Sequence, residues 1–268
     1  MPTYRAGRHE LGQNFLTDRK TIDTIVGLVS RTDGPIIEIG PGDGALTLPL
    51  QDLCRPITAI EIDGRHVRSL RKRVGPLTSI VHDDFLHYRL PRTPHTIVGN
   101  LPFHQTTAML RRMLHTEHWT TAVLMVQWEV ARRRAAVGGA TMMTAQSWPW
   151  YDFSLVSRAP ASVFDPRPGV DGGLMTMTRR TIPLLDPTQR GRYTAFVHAV
   201  FTAKGRGLPQ ILPRVATARA KAATRNWVAA QRLRSTSLPR DLSAEQWADI
   251  FTIIDPGTPA TGRNREMS

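Results

Sequence analysis

The stretch GPIIEIGPGDG, residues 34–44, joins a short apolar run to three glycines that alternate with other residues. The apolar run predicts a buried strand, and the sequence ALTLPL that follows predicts the start of a helix. Glycines between a strand and a helix let the backbone turn sharply and pass close to a ligand, with a helix N-terminus behind them. The stretch therefore predicts one strand–turn–helix unit of an α/β fold, with a ligand-binding turn.

The rest of the first two thirds of the chain repeats this alternation of strand and helix. Such spacing predicts a doubly wound, mostly parallel sheet. Two further segments, 148–160 and 172–180, predict an antiparallel pair at its edge, which brings the sheet to seven strands. The other strands are predicted at 55–63, 77–85, 94–100 and 120–128, and the helices at 17–30 (capped by Thr17), 64–74 and 106–114.

The pattern changes after Ile182, where Gly and Pro separate three helical stretches without intervening strands. This change predicts a smaller, all-helical C-terminal domain. The predicted organisation is a first domain over 1–182, a helical domain over 183–254 and a disordered tail over 255–268.

Positive charge dominates the composition. Lys and Arg number 35 against 22 Asp and Glu, which gives a formal net charge of +13 and a pI of about 11.1. Most of these cations are Arg, whose planar guanidinium suits bidentate contacts to phosphate. The imbalance favours nucleic acid as a partner over a general bias of composition toward Arg.

Cysteine content and hydropathy indicate the cellular compartment in which the protein works. Cys54 is the only cysteine, so no internal disulfide can form, which fits a reducing cytoplasm. The first fifteen residues carry positive charge with no apolar core behind them, unlike a secretory signal. No apolar run is long enough to span a membrane. We therefore expect a cytoplasmic protein with no membrane partner.

Two acidic residues follow neighbouring strands at the same edge of the predicted sheet. Glu61 ends the second strand, 21 residues after Gly40, where a carboxylate can accept hydrogen bonds from both hydroxyls of a ribose. Asp84 ends the third strand, where a carboxylate can accept from the amine of an adenine. Either acid alone would be an ordinary polar strand end, but open α/β sheets bind ligands at this edge. The set predicts a cofactor containing adenosine, and it leaves NAD and S-adenosylmethionine open.

The end of the fourth strand, IVGNLPFH, separates these two cofactors. The Asn100 side-chain oxygen and the Leu101 carbonyl can each accept a hydrogen bond from an amine, and Pro102 aims this carbonyl into the site. Phe103 offers a face on which a flipped-out base can stack, although a core ring that caps the strand is the alternative. A hydride-transfer enzyme has no use for this set. The segment therefore favours S-adenosylmethionine.

Three other groups carry weaker signals. His115 and His118 have no further ligands at metal-binding spacing, so no metal is predicted. The basic triplet at 132–134 is either a solvated helix face or a contact for RNA phosphates. The sequence WPWY at 148–151 is predicted to be core of the edge strands rather than a surface for base stacking.

Six motifs in order resemble those of the rRNA adenine N6-methyltransferases, the family of the KsgA-type and the erythromycin-resistance (Erm) enzymes. The resemblance is strong over 1–180 and looser beyond. It implies a Rossmann-like, S-adenosylmethionine-dependent methyltransferase, with cofactor binding and catalysis in 1–182 and RNA binding in 183–254. The motifs are LGQNFL (11–16), EIGPGDG (38–44), EID (61–63), DDF (83–85), NLPF (100–103) and VFDPRPGVDGG (163–173).

The resemblance also implies roles for individual residues. Asn14 would lie near the methionine carboxylate, Glu61 would hold the ribose and Asp84 the adenine amine. Phe164 would be the second ring of an aromatic clamp around the target adenine. The implied cofactor-binding residues are Asn14, Leu16, Gly40, Gly42, Gly44, Glu61, Asp84 and Asn100, and the implied catalytic residues are Asn100, Leu101, Pro102, Phe103 and Phe164.

Three functions remain open. The first is Erm-type methylation of an adenine in 23S rRNA, which confers macrolide resistance, by a monomeric enzyme. The second is KsgA-type dimethylation of adjacent adenines in 16S rRNA, and the third is an inactive RNA-binding factor on the same fold. The Phe at position 103, the PGVDGG segment and the Arg-rich composition resemble Erm enzymes more than KsgA-type enzymes. We therefore expect an Erm-type enzyme.

Overall fold

The structure is a computed structural model that describes residues 14–255. Residues 11–13 of the first motif and 256–268 of the predicted tail lie outside the described residues. The chain forms two compact units. The first contains the residues up to Ala135 together with Asp152–Arg179, and the second contains Ala136–Tyr151 together with the residues from Arg180 on.

The strands that the structure describes are β1 (Phe15–Leu16), β2 (Ile36–Ile39), β3 (Ile57–Glu61), β4 (Thr78–His82), β5 (His95–Asn100), β6 (Trp119–Gln127), β7 (Tyr151–Ala159), β8 (Phe164–Asp165) and β9 (Gly172–Arg179). Seven of them form one sheet, in the order β4-β3-β2-β5-β6-β9-β7. The first five strands of this order are parallel to one another, and β9 runs antiparallel to β6. The doubly wound, mostly parallel seven-stranded sheet is confirmed.

The centre of the sheet is buried on both faces, as a parallel sheet with helices on each side requires. Ile36, Ile37 and Ile39 of β2 are each at most 1% exposed. In the register of the sheet, Glu38 lies between Ala59 of β3 and Val98 of β5. The carboxyl ends of these three strands therefore meet at one edge.

The helices are α1 (Arg19–Val29), α2 (Thr47–Leu50), α3 (Gly64–Leu70), α4 (Thr106–His115), α5 (Trp128–Arg134), α6 (Met142–Ser147), α7 (Arg190–Thr202), α8 (Leu208–Val215), α9 (Lys221–Ala230) and α10 (Ala244–Ile254). Thr17 does not cap the first helix, so that prediction is wrong. Asp18 is the cap, because its carboxylate accepts hydrogen bonds from the Thr21 backbone N–H at 2.8 Å and the Thr21 hydroxyl at 2.6 Å. The Thr17 hydroxyl instead donates to the Val163 carbonyl at 3.0 Å.

Strands β1 and β8 form a two-stranded antiparallel ladder that was not predicted from the sequence. Phe15 pairs with Asp165 and Leu16 with Phe164. The Thr17 backbone N–H extends the ladder with a bond to the Val163 carbonyl at 2.9 Å. This ladder holds the N-terminal arm beside the segment that carries Phe164.

The second unit is helical and has an aromatic core. Tyr193 of α7 makes edge-to-face contacts with Trp150 and with Phe251 of α10, at ring-centroid distances of 5.5 and 5.2 Å. The Tyr193 hydroxyl donates to the Ala145 carbonyl at 2.8 Å. Segment 136–151 therefore belongs to this unit rather than to the predicted domain over 1–182, and Trp150 lies in a helical core rather than an edge-strand core. No helix of residues 14–255 is long and apolar enough to cross a membrane.

Candidate active site

Four strands place predicted site residues at one edge of the sheet. Gly40 follows β2 and donates its backbone N–H to the Ile60 carbonyl at 2.9 Å. Glu61 ends β3, and Asn100 ends β5. Asp84 follows β4 by two residues, in a segment tied to β3 through the Asp83 N–H and the Glu61 carbonyl at 3.1 Å.

A cavity opens at this edge, against the N-terminal arm and the glycine turn. It collects Asn14, two of the predicted glycines and the whole NLPF segment. The residues that line it are Asn14, Phe15, Gly40, Gly42, Asn100, Leu101, Pro102 and Phe103. The structure thus brings most of the predicted amine-binding and catalytic residues to one small space.

The orientation of Asn100 is set by the N-terminal arm. The Asn100 side-chain Nδ2 donates to the Asn14 backbone carbonyl at 2.6 Å. Because the amide nitrogen is engaged there, the amide oxygen remains available as an acceptor, and its bond to an amine stays a prediction. The neighbouring Leu101 N–H donates to the Met125 carbonyl at 2.9 Å, which holds the Asn100–Leu101 peptide, directly before the Leu101 carbonyl that was predicted to be the second acceptor.

The glycine turn contributes a space and a close contact. Gly40 has a φ of +64°, and a Cβ at this position would meet no other atom within 4 Å, so the turn leaves room beside it. Gly42 has a φ of +52°, and a Cβ there would lie 2.6 Å from the Phe15 ring. Both positions need glycine, the first for conformation and the second for conformation and space.

The Glu61 carboxylate is buried and already holds the backbone around it. Its two oxygens accept the Gly42 N–H at 3.0 Å and the Asp63 N–H at 2.8 Å. A carboxylate oxygen has two lone pairs, so each oxygen keeps one acceptor position. The next residue, Ile62, is 49% exposed, which is unusual for a large apolar side chain beside a buried acid.

Asp84 is partly exposed, and its carboxylate stabilises the turn in which it lies. Its carboxylate accepts the Leu86 N–H at 2.8 Å and contacts His87 Nδ1 at 3.2 Å. The predicted contacts of Glu61 with a ribose and of Asp84 with an adenine amine remain predictions.

Phe103 and Phe164 are in direct contact. Their ring centroids are 6.0 Å apart with an interplanar angle of 75°, an edge-to-face arrangement. Phe103 is half-buried and lines the cavity, whereas Phe164 is only 3% exposed. As placed, the two rings leave no gap for a base between them, and Phe164 supports the Phe103 ring from behind. The clamp around the target adenine stays a prediction.

Leu16 and Gly44, like Glu61 and Asp84, are predicted cofactor residues that do not line the cavity. Leu16 is 3% exposed and belongs to the core cluster beneath the site. Gly44 has a φ of +87°, and a Cβ there would lie 2.6 Å from Leu70 of α3, so its role in this structure is helix packing. Their contacts with the cofactor stay predictions.

Glu38 is a buried acid that the sequence reasoning missed. It is 1% exposed in the middle of β2 and accepts the Thr47 hydroxyl at 2.6 Å. Burial raises the pKa of Glu38 to about 7, with the hydroxyl opposing the shift and the negative charge of Glu61 adding to it. An acid inside an apolar strand was the available signal, since such a side chain must meet a polar group on folding.

Phe15 and Ile62 are further residues that the sequence reasoning missed. Phe15 lines the cavity, and its ring also contacts the His66 ring at a centroid distance of 5.4 Å. The signal for Phe15 was its place between two predicted cofactor residues, Asn14 and Leu16. For Ile62 it was an apolar residue between two acids.

A basic cluster lies on α4 and α5. Arg134 has its Nε and Nη1 atoms buried without a hydrogen-bond partner among residues 14–255. Burial lowers the pKa of Arg134 to about 10, and the charges of Arg133 and Arg111 act in the same direction. A cation so placed would gain from an anion. The described residues contain no cluster of three or more His, Cys, Asp or Glu that could hold a metal.

Comparisons with known proteins agree with this geometry. A family model described as "Ribosomal RNA adenine dimethylase" matches residues 5–256. The chain is 55% identical over 215 residues to an rRNA adenine N-6-methyltransferase of Corynebacterium diphtheriae, covering 80% of this chain and 85% of the relative. It is 47% identical over 248 residues to the mycinamicin-resistance protein MyrB of Micromonospora griseorubida, covering 92% and 79%. Among solved structures, the 23S rRNA methyltransferase ErmE superposes with a TM-score of 0.81 at 33% identity, covering 90% of this chain and 99% of ErmE.

Proposed function

The chain belongs to the ribosomal RNA adenine dimethylase family, and from this premise we propose that it methylates the N6 amine of an adenine in 23S rRNA with S-adenosylmethionine. The observation that carries the proposal is the bond from Asn100 Nδ2 to the Asn14 carbonyl at 2.6 Å. It leaves the Asn100 oxygen as an acceptor, in a cavity that it shares with the Leu101 backbone and the Phe103 ring. An amine donor on a planar ring is the ligand that fits this set.

The residues at the strand ends fit S-adenosylmethionine. The space beside Gly40 admits a ligand against the backbone, and Glu61 keeps acceptor positions for ribose hydroxyls. Ile62 offers an exposed apolar surface for an adenine face, and Asp84 an acceptor for its amine. When bound, S-adenosylmethionine supplies an electrophilic methyl group.

The protein's task is to make a poor nucleophile reactive. The adenine amine is weakly nucleophilic because its lone pair is delocalised into the ring. If Asn100 Oδ1 and the Leu101 carbonyl accept its two hydrogens, the nitrogen is favoured in a tetrahedral form and its developing positive charge is stabilised. The Phe103 face adds a cation–π contribution of about 0.5–2 kcal/mol. No strong base is needed, since the amine proton becomes acidic only as the new bond forms.

RNA binding follows from charge. The Arg111–Arg133–Arg134 cluster would gain from a phosphate because Arg134 has unpaired donors. The second unit adds a longer basic segment: residues 187–240 contain eleven Lys and Arg and no Asp or Glu. We propose that both surfaces bind the rRNA backbone, in the cytoplasm where rRNA is found.

Methylation of free rRNA with labelled S-adenosylmethionine tests the function. The purified protein should label 23S rRNA at one adenine, and Asn100→Ala should abolish the label without loss of fold. Label only in 16S rRNA would favour the KsgA-type activity, and cofactor binding with no label in any RNA would favour an inactive factor.

A test in cells follows from the chemistry of the product. Methyl groups add bulk and remove amine donors where a macrolide must pack against 23S rRNA, so drug affinity should fall. A macrolide-sensitive bacterium that expresses the protein should grow at drug concentrations that stop cells expressing Asn100→Ala. Equal sensitivity of the two strains would contradict the resistance function.

A further inference from the structure

A second cavity, of about 460 Å³, lies in the first unit at the carboxyl end of β6. Its volume falls within the roughly 300–1,000 Å³ typical of small-ligand pockets. It is lined by planar, polar and apolar side chains together, among them Gln127, Trp128, Glu129, Arg158, Val170 and Asp171. None of these residues belongs to the site described above.

Arg158 forms a fixed platform in this cavity. Its guanidinium carbon lies 5.3 Å from the centroid of the Trp128 ring, a cation–π arrangement. Asp171 holds the guanidinium through Oδ2, with Arg158 Nε at 2.7 Å and Nη2 at 2.6 Å. Asp171 is itself held, because its Oδ1 accepts the Ala161 N–H at 2.8 Å. The Arg158 side chain nevertheless remains 60% exposed, so the guanidinium keeps a surface that faces solvent.

Two ion pairs offset charges around the platform, and one further cation, Arg167, acts on Asp171. Arg158 is neutralised by Asp171, and Glu129 is paired with Arg132 at 3.0 Å. A phosphate would gain little from an Arg whose charge is already compensated. A flat, uncharged ring would gain, since guanidinium planes stack on nucleobases in RNA recognition.

The second cavity adjoins the target-base site. Gln127 pairs with Gly172 in the sheet, one residue beyond Asp171. A Cβ added at Gly172 would lie 2.8 Å from Phe164, so this part of β9 is packed tightly against that ring. Phe164 in turn contacts Phe103, which lines the first cavity. The two cavities are thus separated by the Phe164 side chain and its immediate neighbours.

We propose that this second cavity binds the base of a nucleotide that flanks the target adenine, stacked on Arg158 with Trp128 beneath it. The inference rests on the proposed function, because it assumes an RNA substrate whose target adenine enters the first cavity. Val170, which is 50% exposed, gives the base an apolar contact. Gln127 and Glu129 supply polar groups for its edge. The platform is already ordered by Asp171, so little side-chain freedom is lost on binding.

The test combines enzyme variants with altered RNA. Once the labelled adenine in 23S rRNA is mapped, a synthetic fragment that spans it is prepared with an abasic residue in place of each flanking nucleotide in turn. One of the two replacements should lower kcat/KM of the wild-type protein roughly 10-fold, as expected for loss of one stacked base. Trp128→Ala and Arg158→Ala should lose about as much on the intact fragment, and little more on that abasic fragment.

Arg158→Lys separates stacking from a merely structural brace. Lysine keeps a positive charge beside Asp171 but lacks the planar face. This variant should therefore unfold at the wild-type temperature and yet behave like Arg158→Ala on both fragments. Arg19→Ala is the matched control, since Arg19 is also exposed and paired with a carboxylate, Asp23, at 3.1 Å. In this control variant, the abasic replacement should lower kcat/KM as much as it does in the wild type.

Several outcomes would overturn the proposal. One is that each abasic replacement lowers kcat/KM by the same factor in the wild type and in both Arg158 variants. Another is that Arg158→Lys has the kinetics of the wild type. Arg158 would then contribute only its ion pair with Asp171 and no stacking surface. A shallower salt dependence of RNA binding in Arg158→Ala would indicate a phosphate contact instead. If Trp128→Ala fails to fold, the two variants of the exposed Arg158 still test the stacking proposal. Absence of methylation of intact 23S rRNA by the wild type would instead reject the proposed function itself.

Discussion

Asn100 carries two hydrogen-bonding groups of opposite character, and the fold uses one of them. Its nitrogen is bound to the Asn14 carbonyl, so the oxygen stays available as the acceptor that we propose for the substrate amine. Asn100→Ala removes this acceptor, and we expect turnover to fall by at least about 100-fold, in line with loss of a positioned electrostatic group. Methyl incorporation into 23S rRNA measures the effect, and a thermal unfolding curve like that of the wild type confirms a folded protein. Activity within a few-fold of the wild type would contradict the assigned role.

Phe103 has a structural role and a proposed chemical role, which two substitutions can separate. The ring packs on the core beside Phe164 and also lines the cavity. Phe103→Tyr keeps the ring face and should retain substantial activity. Phe103→Ala should lose at least about 10-fold in kcat/KM if the face contributes more than about 1.4 kcal/mol to the transition state. Full activity in the alanine variant would return Phe103 to a purely structural role.

Glu38 makes stability depend on pH. Burial raises the pKa of Glu38 to about 7 from its ordinary value of 4.5, so between these values the folded chain holds a proton that the unfolded chain has released. The resulting destabilisation is absent below about 4.5 and is fully present above about 7. Glu38→Gln removes the charge and keeps an acceptor for Thr47, so it should raise Tm at about pH 8.

The same comparison at about pH 5 supplies the internal check, because the gain from Glu38→Gln should shrink there. Asp23→Asn is the control, since Asp23 is an exposed acid on α1 and no buried charge is removed. If Glu38→Gln raised Tm as much at about pH 5 as at about pH 8, burial of the charge would not be the cause.

The site residues recovered from the sequence are those whose chemistry is local. The NLPF segment is contiguous, so four consecutive residues were enough to predict that its acceptors and its ring lie together. The bond from Asn100 to Asn14 joins residues 86 positions apart, and no spacing rule indicates it. The contact of Phe103 with Phe164 likewise depends on how β6 and β9 pair.

At the scale of elements, the parallel strands are predictable within a few residues because apolar runs and glycine turns are strong local signals. The ladder of β1 and β8 is not, because each strand has two residues and their pairing spans most of the first unit. The second of the three helical stretches predicted after Ile182 covers 208–234, and the structure has two helices there, α8 and α9. Ala216 after α8 adopts an extended ψ of 141°, which ends that helix before α9 begins.

The cap of α1 offers a test at this scale. Asp18→Ala removes two hydrogen bonds to Thr21, which leaves a helix N–H without its partner, so Tm should fall. Thr17→Val, the neighbouring change, removes only the hydroxyl bond to Val163 and should have a smaller effect. Thermal unfolding of both variants gives the comparison, and a larger decrease for Thr17→Val would contradict the assignment of the cap.

At the scale of the whole molecule, charge sets the behaviour toward RNA. The acid-free segment 187–240 places Lys221 and Arg225 four residues apart on the exposed surface of α9. We expect RNA affinity to fall steeply from low to physiological salt, because binding of phosphates releases counterions. Replacing Lys221 and Arg225 by Gln should weaken RNA binding uniformly, and the salt slope should decrease by about 1 for each phosphate that the variant no longer neutralises.

Binding of S-adenosylmethionine should be unchanged in that double variant, which serves as the control measurement. A salt slope equal to that of the wild type would show that α9 does not contact RNA. Any RNA contacts of the second unit would then come from the other basic residues of 187–240.

The anchor of Asn100 also determines which inherited changes can disarm the protein. The acceptor at position 14 is a main-chain carbonyl, so a missense change there keeps this anchor of Asn100 and alters only the side chain that was predicted to bind the cofactor. An in-frame deletion of codon 15 or 16 is different, because it places a different residue opposite Asp165 or Phe164 and displaces the side chains with which the arm lines the cavity. Loss-of-function alleles in this arm should therefore be enriched in small deletions relative to missense changes at codon 14, which a deep mutational scan under macrolide selection would count directly.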